Sequence, residues 1–311
     1  MIIETYNNQS RTVTKYLHYD GSETCIKTVP SCSYKMDRFG FLREEYTDRE
    51  KFSVFISHSS GCKLGCKMCY LTVKNHPYKK LTADQIKTNV KESLLSKMET
   101  NPELKDRYLK LCWMGMGDAV LDLNKTYDVT MDLFEWASKI SFCKGFDGVD
   151  IGTILPTIKN LKMLNRLNIR ATDYVYNPNN TKRSPVRLFY SLHSILNRDL
   201  LIPKHPYSDS DMFILSSLLD ICEIDIIFHI VFIEGINDTD AEIAELIKLF
   251  KNLGKYCELR VLRFNECVGS PFKESSRFGE IVQVLNKNVP RIKYQISPGK
   301  EIMAACGQFM D

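Results

Sequence analysis

The chain has 311 residues, 44% of them hydrophobic, and its 42 basic and 38 acidic residues leave a net charge of +4. That length fits one large α/β barrel, no apolar run reaches the roughly 18 residues of a membrane span, and Met1-Ile2-Ile3-Glu4-Thr5-Tyr6 lacks the basic start and apolar core of a secretion signal, so a soluble, cytoplasmic protein is expected. Eleven cysteines without a secretion signal argue against a disulfide scaffold and for metal binding or thiol chemistry.

Residues 1–50 come first. Tyr16–Tyr19 and Thr24–Val29 flank Asp20-Gly21 and predict a two-stranded hairpin. It reads as an extension packed on the rest, which spans 51–311. From residue 51 short β-branched runs alternate with longer helical patterns, the mark of βα units and a parallel sheet. Strands are expected at Phe52–Ser57, Tyr108–Trp113, Gly148–Gly152, Arg187–Ser191, Ile224–Phe232 and Glu258–Phe264. Helices are expected near 82–97, 125–140, 156–164, 209–221, 238–253 and 274–287, and Ile292–Ile296 as a seventh strand. Six βα units predict an open, partial (β/α)6 TIM-type barrel.

The first strand runs into Gly61-Cys62-Lys63-Leu64-Gly65-Cys66-Lys67-Met68-Cys69. Three thiolates spaced in this way each supply one iron of a 4Fe–4S cubane, leaving the fourth iron without a protein ligand. An open iron suits chelation of S-adenosylmethionine (SAM) by its amine and carboxylate, followed by one-electron cleavage of its sulfonium bond. A zinc site completed by His58 and a chance cluster of buried cysteines are the bland alternatives; zinc more often takes two separated Cys-x2-Cys pairs.

Later strand ends carry further polar groups. Leu111-Cys112-Trp113-Met114-Gly115-Met116-Gly117-Asp118 ends the second strand in small residues and an acid, suited to close approach by a ligand and to an ammonium group. Ser191-Leu192-His193-Ser194 ends the fourth, and Asn265 follows the sixth. At successive strand ends such side chains share one mouth; taken singly, each reads equally as a cap or loop hydrogen bond. Ala304-Ala305-Cys306-Gly307-Gln308 places a thiol among small residues near the C-terminus, where an inert buried cysteine is the alternative. The basic clusters Lys74, Lys79, Lys80 and Lys182, Arg183, Arg187 suit a polyanion or an ordinary solvated surface, and residues 177–187 a substrate loop or a plain connection.

Over about residues 15 to 311 these marks resemble the RlmN/Cfr-type radical SAM RNA methyltransferases: the triad, Leu81-Thr82-Ala83, Gly115-Met116-Gly117-Asp118, Ser191-Leu192-His193, Glu234-Gly235-Ile236-Asn237-Asp238, Asn265 and Ala304-Ala305-Cys306-Gly307-Gln308. The resemblance implies a 4Fe–4S cluster and SAM, held at Gly117, Asp118, Ser191, Leu192, His193 and Asn265. It implies that one SAM methylates Cys306. A second yields the radical that takes a hydrogen from this methyl, and the carbon then adds to an adenine ring carbon of RNA. It also implies an electron donor such as flavodoxin or ferredoxin, an rRNA or tRNA substrate, and a monomer.

Five departures stand out. The resolving cysteine that the family carries seven residues before the first cluster cysteine is Phe55 here, and the hairpin glutamate is Cys25. The Ser-Thr-Ser-Gly run of the third strand reads Asp150-Ile151-Gly152-Thr153, Gly-Glu-Pro reads Gly117-Asp118-Ala119, and the late glycine-arginine pair reads Ser297-Pro298-Gly299. The family's N-terminal helical domain has no counterpart in these residues. Cys25 and Cys267 are the candidates for a relocated resolving thiol; Cys112, on a strand, is expected in the core. A different radical reaction on a nucleotide, nucleic acid or peptide, and a non-catalytic iron–sulfur or zinc protein, remain alternatives.

Overall fold

The computed structural model describes residues 1–28, 31–36, 42–47, 50–154, 158–175, 184–204, 223–254, 257–295, 298–304 and 308. The helix expected over 209–221, most of the 177–187 loop and Cys306 lie outside them.

Strands β1 (Ile2–Asn7), β2 (Val13–His18), β3 (Glu23–Lys27), β4 (Ser31–Met36) and β5 (Leu42–Thr47) precede β6 (Lys51–Ile56). A short pair, β7 (Ser59–Ser60) and β8 (Lys79–Lys80), brackets helix α1 (Tyr70–Val73). Then α2 (Ala83–Thr100), β9 (Tyr108–Trp113), α3 (Leu123–Lys139), β10 (Gly145–Thr153), α4 (Ile158–Ala171) and β11 (Val186–Ser191) alternate. The chain continues through α5 (Arg198–Leu201), β12 (Asp225–Val231), α6 (Asp240–Leu253), β13 (Cys257–Leu262), α7 (Phe278–Asn288) and β14 (Ile292–Gln295).

Twelve of these strands form one sheet in the order β1-β2-β3-β6-β9-β10-β11-β12-β13-β14-β4-β5. Its centre, β6 to β14, is parallel throughout. The β-α alternation therefore yields the partial barrel that the sequence predicts. Residues 1–47 do more than form one hairpin: β1–β3 extend the sheet antiparallel from β6, and β4–β5 extend it from β14. Among the described residues no pairing joins β5 to β1.

Side chains alternate across each parallel strand. Leu109, Leu111, Val149, Ile151, Leu188, Tyr190, Phe228, Ile230, Leu259 and Val261 face outward into one continuous core. The helices cover that core with Val90, Leu94, Phe134, Leu167, Phe250 and Leu285. Helix ends are set locally: Thr82 and Gln85 make a capping box at α2, and Thr239 caps α6. No helix among the described residues is long and apolar enough to cross a membrane.

The opposite phase carries Lys110, Cys112, Asp150, Arg187, Phe189, His229, Glu258 and Arg260, so the inner face is polar where the outer one is apolar. Its charges are paired. Arg187 bonds Asp150 through Nε at 2.6 Å, Lys110 lies 3.2 Å from Asp150, and Lys293 lies 2.6 Å from Glu258. Burial alone would raise the Asp150 carboxyl, but Arg187 and Lys110 together hold it below its ordinary range.

Candidate functional site

The cysteine loop starts where β6 ends and is fastened to the end of β9. Ser57 donates to the Glu23 carbonyl on β3 at 2.5 Å and accepts from the Met116 amide at 3.1 Å. The His58 amide donates to the Met116 carbonyl at 2.8 Å. Gly115 and Gly117 permit this contact. A Cβ at Gly115 would stand 2.7 Å from the Ile56 carbonyl oxygen, and one at Gly117, where φ is +83°, would run into the Ser59 hydroxyl. Pairing of β7 with β8 then closes the loop at its base.

The three cysteines sit on this fastened loop. Cys69 opens α1, and its amide donates to the Cys66 carbonyl at 3.0 Å. Cys62, Cys66 and Met68 pack over Leu201, Ile202, Val231, Ile233, Leu262 and Phe264, the apolar floor at the strand ends. The Lys67 amide bonds the Leu201 carbonyl at 2.9 Å and keeps the loop on that floor. Burial pushes the Cys62 and Cys66 thiols up, and Cys66 is raised further by Cys69, Cys62 and Asp118. The three thiols thus share one electrostatic neighbourhood with Asp118.

Among the described residues no group of three or more His, Cys, Asp or Glu side chains is arranged to hold a metal ion. A cubane makes a different demand. Each thiolate meets a different iron, so its ligands stand farther apart than those around one zinc. Three half-buried thiols on one short loop over an apolar floor fit that donor set, and the Cys-x3-Cys-x2-Cys spacing does not reproduce paired zinc ligands.

Of the residues matched to SAM positions, Asp118 acts on Cys62 and Cys66, and the others stand at or beyond the ends of β9, β11 and β13. Asp118 is buried and knits β9 to β10: its carboxylate accepts from Val120 N at 2.9 Å, Thr153 Oγ1 at 2.9 Å and Ile154 N at 3.0 Å. Burial pushes it up to about 6 in spite of those donors. Of a carboxylate's roughly four acceptor positions, three are engaged within the fold. Ser191, Leu192 and His193 end β11. The Leu192 amide reaches the His229 carbonyl at 2.9 Å, and His193 adopts left-handed φ of +56°. Asn237 locks this turn by donating to the His193 carbonyl and, at 2.7 Å, to the Val231 carbonyl. Burial pushes the His193 imidazole down to about 3, so it is neutral, and its buried Nδ1 has no hydrogen-bond partner among the described residues. Asn265 is half-buried just beyond β13.

The two candidate resolving thiols lie apart. Cys25 on β3 pairs in register with Phe55 on β6. It packs with Val13, Ala304, Phe55 and Ile302, and burial pushes its thiol up to about 11. Cys267 is buried beside the Asn265 carbonyl, with Sγ at 3.6 Å, and Lys300 and Lys74 offset part of the rise that burial causes. Cys112 is buried, but on the polar inner face near Asp150, Lys110 and Arg187 and not in the apolar core that its strand position suggested. Ala304 and Gln308, which flank residues 305–307, are both anchored: Ala304 against Cys25 and Val13, and Gln308 Nε2 on the Glu266 carbonyl at 3.3 Å.

Three features escaped the sequence reading. Ser57 and Met116 fasten the loop by backbone and hydroxyl contacts that have no sequence signature. His229 lies on β12 with its ring 4.8 Å from Phe189 and its buried Nε2 without a partner among the described residues; one histidine in an apolar strand was the available signal. Asp150 turns inward to a buried arginine. An open groove of about 710 Å³ also exists between Val120–Asn124 and α4.

No protein-family model matches the chain. It is 27% identical over 266 residues to a dual-specificity RNA methyltransferase RlmN of Hyphomonas neptunium, covering 81% of this chain and 62% of that one. It is 26% identical over 305 residues to RlmN of Helicobacter hepaticus, covering 96% and 74%. The chain thus spans about two thirds of the length of the curated relatives it matches. Among solved structures, a radical SAM methyltransferase from Sphaerobacter thermophilus superposes with a TM-score of 0.70 at 22% identity, over 99% of this chain and 80% of that one, which shows the shared fold. The chain is thus similar over most of its length to RlmN-type RNA methyltransferases and shares the fold of a radical SAM methyltransferase.

Proposed function

We propose that this chain is a radical SAM enzyme that methylates adenine in RNA. The observation that carries the reading is the fastened loop. It holds Cys62 and Cys66 over the apolar floor at the strand ends with Asp118 near them, which supports the reading. The names of the RNA methyltransferase relatives support RNA as the substrate.

When bound, a 4Fe–4S cluster supplies one-electron cleavage of SAM. The chain's own residues do the rest. The three thiolates would hold three irons of the cluster, and the Gly115–Gly117 backbone would leave room for SAM. Asp118 keeps β9 and β10 in place and offers its remaining acceptor position to the ammonium group. Neutral His193, Ser191, Leu192 and Asn265 would complete the SAM site. Burial at the strand ends excludes water.

Cys306 carries the transferred carbon in this reading, and Cys25 is the thiol that frees the product. Once the adduct has lost one electron and its ring hydrogen as a proton, the Cys25 thiolate attacks the Cys306 sulfur; the bond from that sulfur to the methylene on the base breaks, and the methylene keeps the electron pair and takes a proton to become the methyl group. The two cysteines end as a disulfide. Cys25 is favoured over Cys267 because it stands against Phe55 and touches Ala304. A one-electron donor protein, a monomeric state and a cytoplasmic setting complete the proposal.

The test is anaerobic reconstitution with iron and sulfide, followed by SAM and dithionite. About four irons per chain and formation of 5′-deoxyadenosine are expected, and both are lost in Cys66→Ala. An iron-free chain, or one that binds zinc alone, would refute the reading.

A further inference from the structure

Helix α4 departs from the chain's other helices in charge. It carries Lys159, Lys162, Arg166 and Arg170 and no acidic residue. Each of the other described helices of eight or more residues, α2, α3, α6 and α7, carries at least one acid. Lys162, Arg166 and Arg170 are exposed and line the groove that α4 forms with Val120–Asn124. They follow one another in steps of four residues, so a rise of about 1.5 Å per residue spaces them about 6 Å apart along the helix. The Arg166 guanidinium lies over the Tyr127 ring at 4.7 Å, which uses the face of the group and leaves its N–H edge for an acceptor. Arg170 meets Asp173 at 3.3 Å with both side chains more than half exposed, a weak pair that a phosphate can displace. The acid in the groove, Asp122, caps α3 by accepting from the Lys125 amide at 3.2 Å. The groove also presents apolar groups: Ile169 is 59% exposed, Leu121 is 38% exposed, and Met163 is half-buried. It begins near the strand ends. Val120, in its wall, donates its amide at 2.9 Å to the carboxylate of Asp118, the acid that acts on Cys62 and Cys66.

We infer, on the reading that RNA is the substrate, that this groove holds an unpaired strand flanking the target base, its phosphates on Lys162, Arg166 and Arg170 and its bases against Leu121, Met163 and Ile169. Cations in regular steps along one helix face serve a repeating anion, and a nucleic-acid strand offers one phosphate per nucleotide. Two of the three are arginines, whose planar fork meets a phosphate through two parallel hydrogen bonds. Such contacts fix the position of the strand and leave sequence to be read elsewhere. The apolar groups set the state of the strand. In a duplex the base faces are stacked and paired, so Leu121 and Ile169 would meet only sugar and phosphate. In an unpaired strand the bases turn outward and can pack against them. A strand that leaves the strand ends past β9 reaches this groove at Val120.

A Lys162→Glu, Arg166→Glu, Arg170→Glu triple variant of the reconstituted full chain tests the assignment. Thermal melting and iron content check that the fold is kept. If the triple variant melts early, Lys162→Glu with Arg170→Glu, which spares the Arg166–Tyr127 contact, takes its place. The probes are a short, unstructured fluorescent RNA, the same strand annealed to its complement, and polyglutamate, each followed by anisotropy across a salt series. The wild type is expected to bind the single strand at least ten-fold more tightly than the duplex. The triple variant is expected to lose at least ten-fold on the single strand. Its slope of log affinity against log salt is expected to be shallower by about 2, at roughly 0.7 per phosphate contact. Ile169→Ser is expected to weaken single-strand binding several-fold at an unchanged slope, because it removes a base contact and no charge. Undiminished single-strand binding by the charge variant overturns the inference. So does a duplex held as tightly as the single strand. Polyglutamate that binds as tightly as RNA and is lost in the variant also overturns it, and makes the groove a surface for an acidic protein. A wild type that holds the single strand in this groove yet never passes a labelled SAM methyl to adenine would support this assignment and refute the proposed function.

Discussion

Cys25 and Phe55 face each other across the β3–β6 ladder, in antiparallel register, with Ala304 packed against Cys25. Directly opposed residues of an antiparallel pair have Cβ atoms about 5 Å apart, so the Cys25 thiol stands beside Phe55, the position at which the resemblance implies a resolving cysteine.

If Cys25 resolves the adduct, Cys25→Ala stalls the reaction as a covalent chain–RNA species. Denaturing gels and mass spectrometry would detect it, and 5′-deoxyadenosine formation would be retained. Cys267→Ala is expected to turn over normally. Stalling by Cys267→Ala alone would transfer the role to that residue.

Gly117→Ala adds a methyl group where φ is +83° and the Ser59 hydroxyl blocks the space. A left-handed alanine costs about 1–2 kcal/mol before any clash. The loop must shift, and SAM affinity measured by calorimetry is expected to fall at least ten-fold. Unchanged affinity would show that the Gly115–Gly117 backbone does not approach SAM.

The Asp150–Arg187 pair is buried on both sides. Removing one partner of such a pair typically costs about 3–5 kcal/mol, because the other charge is left without compensation. Arg187→Met is expected to show this loss in urea unfolding. An accompanying Asp150→Asn is expected to restore part of it, limited by Lys110, which also pairs with Asp150.

His18 gives the apo-fold an acid dependence. Burial pushes its imidazole from 6.5 down to about 4, although Asp20 and Glu92 pull the other way. It sits between Thr24 Oγ1 at 2.9 Å and Ser93 Oγ at 3.4 Å. Because the folded value lies below the unfolded one, its stabilising effect is complete above about pH 6.5 and is lost as pH falls towards 4. The loss amounts to roughly 3 kcal/mol at 1.36 kcal/mol per pH unit. His18→Gln is expected to flatten the stability profile over that window. An unchanged slope would show that other groups set it.

The parallel core was legible because each of its strands is a short apolar run followed by a helical period, and both signals are local. The cysteine triad was legible because all its ligands lie within eight residues. What escaped depends on contacts between distant parts of the chain. Strands β4 and β5 join the sheet at β14, more than 240 residues away, and nothing in Ser31–Met36 announces that partner. Asp150 reads as a polar interruption until β11 places Arg187 beside it. Cys25 and Cys267 could not be ranked from the sequence, since only the β3–β6 register sets Cys25 opposite Phe55. His193 was found as a polar strand end, but its neutrality follows from burial by residues scattered along the chain.

The central claim is that Cys306 carries a methyl group from SAM to RNA. The most direct measurement is mass spectrometry of this residue after anaerobic reconstitution with SAM labelled in its methyl group, followed by addition of RNA and reductant. Label that appears on Cys306 and then in adenine is the predicted result. An unlabelled Cys306 in a chain that still forms 5′-deoxyadenosine would contradict it and assign this fold to a different radical reaction.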